Sequence, residues 1–298
     1  MSTSLFIEGC AGSAAVWLAS KGAKPPLHYR GGKSRYAKEI LEILHTWAGP
    51  WDRTTLNEPG AWGRFWLTLK NHRPLLVERL LSAYAEGEAK SSPKELWESI
   101  TTQDLGLCCS PYATATGTLV AGVCQWLVLQ RYSYAGKPVD WQGRWLTHGF
   151  LGAAADRGSQ RARALARGNQ DAKRWAKSSP GLADLAGALC TLPVPDVVSC
   201  SRLQHLLPVA NALLYIDPPY HGTDAGYLHP LDRYQVLEIV ERWRRAGSRV
   251  AVSEAVPLAE RGEPGTHIFR LGSPRGGGRT SSKQQEEWLT LFEPLEKA

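Results

Sequence analysis

The run Ala212-Leu213-Leu214-Tyr215-Ile216, followed at once by Asp217-Pro218-Pro219-Tyr220, constrains this chain more than any other feature. Five apolar residues in succession, without polar alternation, describe a strand covered on both faces, as in a parallel sheet flanked by helices. Two prolines then stop that strand, since neither offers a backbone N–H to a ladder. The chain turns at Asp217, at the C-terminal end of a buried strand, where open α/β sheets bind ligands.

Other segments fit the same architecture. Leu5 to Glu8 is a short apolar run that leads into the small-residue loop Gly9-Cys10-Ala11-Gly12-Ser13-Ala14-Ala15 and a short helix over Val16 to Ser20. A helix is predicted over 34–47, with Ser34 as its N-cap and Ile40, Leu41 and Leu44 at helical spacing. A short strand at 54–56 ends in Asn57-Glu58-Pro59. Helices are predicted over 74–85, within 117–132 and over 231–245, and strands over 249–253, 266–271 and 287–292. The fold class is α/β, a mostly parallel sheet with an antiparallel strand near the C-terminus. Residues 1–72 and 193–298 form the two parts of the sheet domain, and 73–192 form a mainly helical insertion.

The chain carries a formal net charge of +7. Between 157 and 177, Arg157, Arg161, Arg163, Arg167, Lys173, Arg174 and Lys177 face the single acid Asp171. That excess favours a polyanionic partner over a solvated basic face only when joined to other signals. No apolar run reaches membrane-spanning length, and Glu8 and Gly9 interrupt the N-terminal apolar stretch before it resembles a secretory signal. The six cysteines form no Cys-x-x-Cys pair and the eight histidines show no ligand spacing. The expectation is a cytoplasmic protein with reduced thiols and no metal site.

The chemistry lies at Asp217-Pro218-Pro219-Tyr220. A carboxylate and a backbone carbonyl can accept the two N–H bonds of an aromatic amino group and localise its delocalised lone pair. Asp217 offers the carboxylate, Pro218 the carbonyl, Pro219 stiffens the turn, and Tyr220 offers a flat face for an extruded base. Asp-Pro-Pro is also suitable chemistry for an ordinary turn. Average residue usage puts a chance match at about one in a thousand for a chain this long.

These residues resemble the Dam-like class of bacterial and phage DNA adenine N6-methyltransferases. Its catalytic motif matches Asp217-Pro218-Pro219-Tyr220, and its loop for S-adenosylmethionine (AdoMet) matches Glu8 to Ala14 in part. Its Gly-Gly-Lys motif matches Tyr29-Arg30-Gly31-Gly32-Lys33, and its Asn-Asp matches Asn57-Glu58. A weaker likeness lies at Gln130 to Gly136. The order departs from the class, because Gly-Gly-Lys here follows the loop. Glu8 and Glu58 are also far apart for adjacent strands joined by one helix, and an insertion over about 25–48 accounts for the gap. Gly9 and Cys10 replace the class's Pro-Phe, and the acid expected near Ser199 to Arg202 is absent.

The resemblance implies an AdoMet-dependent methyltransferase that flips an adenine out of DNA. The cofactor would meet Glu8, Cys10, Gly12, Tyr29, Lys33, Glu58 and Asp217, with Glu58 on the ribose hydroxyls and Lys33 on the methionine carboxylate. Arg161, Arg163, Arg167, Lys173, Arg174, Arg275 and Arg279 would contact DNA, with Trp141 and Trp145 as further candidates. Three alternatives stay open: a cytosine-N4 enzyme, an RNA adenine enzyme, and a catalytically inactive DNA-binding subunit. The sequence does not specify a restriction endonuclease partner.

Overall fold

The computed structural model describes residues 4–27, 32–85, 93–102, 115–133, 139–141, 145–147, 181–218, 231–272 and 286–296. The chain divides into two compact units. One comprises residues 1–25, 31–63 and 195–298, and the other residues 26–30 and 64–194.

The first unit is built on a seven-stranded sheet. Its strands are β1 (Leu5–Gly9), β2 (Arg53–Asn57), β5 (Val197–Ser199), β6 (Ala212–Ile216), β7 (Arg249–Glu254), β8 (Thr266–Leu271) and β9 (Glu287–Phe292). They lie in the order β5-β2-β1-β6-β7-β9-β8. The pairs β2–β5, β1–β2, β1–β6 and β6–β7 are parallel. Strand β9 runs antiparallel to both of its neighbours, β7 and β8. This is the mostly parallel α/β sheet the sequence predicts.

Helices cover both faces, which explains why β6 is apolar throughout. On one face Ile7, Leu214, Ile216, Val250 and Val252 pack with Val236, Ile239, Val240 and Trp243 of the helix Arg233–Arg245. Asp232 caps that helix by accepting from the Gln235 N–H at 2.8 Å, so it begins two residues later than the periodicity alone suggests. On the other face Phe6 stacks on Trp51 at 4.3 Å, and His45 meets the same indole edge-on.

The long path from β1 to β2 carries two helices, α1 (Ala15–Ser20) and α2 (Ala37–Ala48), packed on each other. Helix α2 lies within the segment that the spacing of Glu8 and Glu58 singles out as inserted. Ser34 does not cap it. Residues Lys33–Arg35 form a separate 3₁₀ turn, and Tyr36 precedes α2 without a side-chain cap bond.

Helix α3 (Ala61–Leu80) enters the second unit and breaks at His72, with φ −138° and ψ 30°. Pro74 explains the break, because it lacks the N–H that would reach residue 70 and its ring crowds that carbonyl. In the second unit, α4 (Pro93–Thr102) packs on α5 (Thr116–Arg131), and α6 (Leu182–Thr191) packs on the π-turn Leu81–Ala85. Trp141 and Trp145 face each other across the short pair β3 (Asp140–Trp141) and β4 (Trp145–Leu146), with ring centroids 5.0 Å apart. Trp141 is buried, so this contact makes it a packing residue of the hairpin, not the open stacking surface that its polar sequence context suggests.

Candidate functional site

The chain order reverses at β1. From β1 it runs outward through β2 to β5 on one side, and through β6 to β7 on the other. Such a switch point opens a crevice beyond the C-terminal strand ends. Four loops meet there through backbone hydrogen bonds: Ala11 N–H to Asn57 O at 3.1 Å, Glu58 N–H to Ser199 O at 2.9 Å, and Asp217 N–H to Gly9 O at 3.4 Å.

The loop after β1 is tightly wound. Cys10, Gly12 and Ala14 all take left-handed backbone conformations, with φ of 55°, 46° and 53°. Glycine tolerates this freely, whereas cysteine and alanine adopt it only where surrounding contacts enforce it. Two carboxylates supply those contacts. Glu8 Oε2 accepts the Trp17 N–H at 2.9 Å at the start of α1. Glu58 accepts the Gly12 N–H on Oε2 and the Gly60 N–H on Oε1, each at 3.0 Å.

Glu8 and Glu58, similar in the sequence, therefore differ in the structure. Glu8 is 3% exposed and aimed at a helix start, which gives it a positioning role for the loop and no open face toward a ligand. Burial pushes its carboxyl up to about 8, opposed by the Trp17 N–H and reinforced by Asp217. Glu58 is half-buried at the rim of the crevice. Gly63 secures its surroundings: a Cβ there would lie 1.8 Å from the Glu58 carbonyl oxygen, so only glycine lets α3 cross so close.

Asp217 and Pro218 lie just past β6. The Lys33 ammonium sits 2.5 Å from Asp217 Oδ1 and 3.6 Å from Glu287 Oε1. Lys33 is 6% exposed. Burial works against its charge, but Asp217 and Glu287 outweigh burial and hold its pKa above the ordinary lysine value. Burial likewise raises the Asp217 carboxyl, and Lys33 opposes that rise. Glu254, at the end of β7, is pushed up to about 7, first by burial and then against the Ala255 N–H.

The structure thus gathers Glu8, Cys10, Gly12, Lys33, Glu58, Asp217 and Pro218 around one set of strand ends. Lys33 points to carboxylates of the protein itself, because buried acids are the strongest attraction within its reach. The Cys10 thiol is driven well above its usual pKa by burial and then by Glu58 and Asp217, so it stays protonated. Tyr29, Pro219, Tyr220, Arg161, Arg163, Arg167, Lys173, Arg174, Arg275 and Arg279 lie outside the described residues.

Sequence reading missed Glu287. Its signal is indirect: β9 is antiparallel, so its first residue arrives where the parallel strands end. The pairing of Glu254 with Trp288 fixes Glu287 just beyond β7. Among the described residues no group of three or more His, Cys, Asp or Glu is placed to hold a metal ion, and no helix is long and apolar enough to cross a membrane. No protein-family model matches the chain, and no curated protein matches it.

Proposed function

We propose that this protein transfers a methyl group from AdoMet to the N6 amino group of an adenine flipped out of DNA. One observation carries the reading. The Asp217-Pro218 turn and the Glu58 carboxylate stand at the ends of β6 and β2, the two strands that flank β1, at the switch point of a mostly parallel sheet. An amino-group acceptor and a ribose-type acceptor then lie on either side of the β1 strand end.

The residues fit such a cofactor. Glu58, held by the Gly12 and Gly60 N–H groups at a strand end, is the carboxylate proposed to accept from a ribose diol. The left-handed turns of the β1 loop suit a close approach of backbone to a ligand. The acidic side chains Asp217 and Glu287 beside the Lys33 ammonium give an acidic surround, which suits a sulfonium. AdoMet, when bound, supplies an electrophilic methyl group.

The protein's own contribution is orientation and polarisation. Asp217 accepts one N–H of the target amino group and the Pro218 carbonyl accepts the other, which localises the nitrogen lone pair. With AdoMet bound, that nitrogen would take the methyl group as the methyl–sulfur bond breaks, its electron pair staying on sulfur. The amino nitrogen then loses one proton toward the Asp217 carboxylate. Proximity within the crevice supplies much of the rate. The basic stretch 157–177 and Arg275 and Arg279 are the proposed DNA contacts.

The test is direct. Purified protein is incubated with AdoMet and unmethylated duplex DNA, and the nucleosides are identified by mass spectrometry. The expected product is N6-methyladenine, lost in Asp217→Ala while AdoMet affinity by calorimetry stays within several-fold. A dominant methylcytosine peak would overturn the substrate, and full turnover by folded Asp217→Ala would overturn the mechanism.

A further inference from the structure

Asn57 ends β2 immediately before Glu58 and is fully buried. Its backbone carbonyl accepts the Ala11 N–H at 3.1 Å. Its side chain is not used in this way: among the described residues neither Oδ1 nor Nδ2 has a hydrogen-bond partner. Asn57 lies between Gly9 on β1 and Ser199 on β5, on one face of the sheet. Gly9 offers no side chain, and the Ser199 hydroxyl engages the Ser201 N–H at 3.4 Å. An apolar side chain would occupy this place without a polar group to desolvate, so packing gives no reason for an amide here. Buried amides are nearly always paired, and one left unpaired at the ligand-binding end of a strand points to a ligand.

The chemistry of the amide selects the ligand group. A carboxamide presents an acceptor and a donor side by side. In AdoMet the carboxylate only accepts, the ammonium only donates, and the ribose hydroxyls are assigned to Glu58. The adenine ring sets an amino donor beside a ring-nitrogen acceptor, the pattern that asparagine meets with two bonds. We propose that Asn57 recognises the adenine ring of AdoMet, with Oδ1 accepting from the amino group and Nδ2–H donating to the adjacent ring nitrogen. This inference rests on the function proposed above and assigns the part of the cofactor that the reading leaves without a partner.

Position agrees with chemistry. The base is bonded to the ribose, and Asn57 adjoins Glu58 in the chain. Access lies on the side of the 3₁₀ turn Leu203–His205. Strands β1, β2 and β5 are fixed by their ladder. Leu203 instead rests on Gly9, across the face that Asn57 shares: a Cβ on Gly9 would meet its Cδ1 at 2.9 Å. The turn is three residues long, and Arg242 ties it down from an exposed position through the Gln204 and Leu206 carbonyls. An outward shift of this turn is what would open the amide to a flat ring.

Two measurements test this. The first is calorimetry of wild type and Asn57→Ala with AdoMet, with adenosine, and with purine riboside, which lacks the amino group. Wild type should prefer adenosine to purine riboside about ten-fold or more, the worth of a two-bond amide contact. Asn57→Ala should bind AdoMet more weakly by a similar factor and lose that preference. A structural role for Asn57 would weaken both nucleosides alike and leave their ratio unchanged; that result overturns the proposal and leaves the methyltransferase reading standing. Binding of adenosine without AdoMet would sink the methyl-donor reading, while the nucleoside ratio still decides the role of Asn57. Binding of neither would sink both. The second measurement is a crystal structure of wild type with adenosine, which needs no variant to fold. The Asn57 amide is expected within about 3 Å of the amino nitrogen, a normal hydrogen-bond distance. An amide that meets only protein or water in that complex overturns the proposal.

Discussion

Lys33, in the turn before α2, and Asp217, at the end of β6, form a buried ion pair at 2.5 Å. It ties the segment inserted between β1 and β2 to the strand that carries the Asp-Pro-Pro turn. Each partner makes the other's charge tolerable, since burial alone would drive the lysine toward neutrality and the aspartate toward protonation.

Lys33→Ala should therefore destabilise the protein by about 3–5 kcal/mol, the usual result of leaving one buried charge alone. The double variant Lys33→Ala, Asp217→Asn should recover part of that loss, and urea titrations of the two would show it. The same substitution removes the cation that lowers the Asp217 carboxyl. The folded pKa of Asp217 then rises further, and the acid limb of any methylation profile should move to higher pH. An unshifted limb would mean that Asp217 does not need to be ionised for turnover.

Glu58→Ala should weaken AdoMet binding about ten-fold or more, because a charge-assisted hydrogen bond is worth about 1.5–3 kcal/mol. It should also loosen the loop after β1, since the Gly12 and Gly60 N–H groups lose their acceptor. Glu58→Gln keeps one side-chain oxygen but cannot accept from both amides. It should fall between wild type and alanine in calorimetry. Unchanged affinity in both variants would remove Glu58 from the cofactor site.

What the sequence made legible follows from burial. Strand β6 announces itself because both faces are covered, so every residue from Ala212 to Ile216 is buried and apolar. Strand β5 leaves no such trace: it is three residues long at the sheet edge, with Val197 exposed. In the site, Asp217 was legible because it closes an apolar strand with a polar turn, and Glu58 because Asn57-Glu58-Pro59 ends the short strand β2. Glu287 was not, because its place depends on β9 running antiparallel beside β7, a pairing that joins residues distant in sequence. The partner of Lys33 was missed for the same reason. A lysine beside two glycines reads as a ligand contact until the fold sets a buried carboxylate next to it.

The segment 157–177 lies outside the described residues, so its role rests on charge alone. Arg161→Ala, Arg163→Ala and Arg167→Ala, combined, should weaken DNA binding on all sequences. The slope of log affinity against log salt should flatten by about 0.9 for each lost phosphate contact. An identical slope for parent and variant would identify the stretch as a solvated face.

Stability should depend on pH through Glu8. Its folded carboxyl titrates near 8, raised chiefly by burial, against an ordinary value of 4.5. Between those values the folded protein holds a proton that the unfolded chain has released. Unfolding thus releases protons, and stability must fall as pH rises through that window, by at most roughly 1.4 kcal/mol per pH unit from this group. Below about pH 4.5 and above about pH 8 the contribution is flat. Glu254, titrating near 7, adds a smaller fall of the same sign over the lower part of the window. Glu8→Gln keeps an oxygen to accept the Trp17 N–H but has no proton to lose. Urea titrations from pH 5 to 8.5 should show wild-type stability declining and the Glu8→Gln curve distinctly shallower. Parallel curves for the two proteins would show that Glu8 is already ionised in the fold, with a counter-charge close enough to offset its burial.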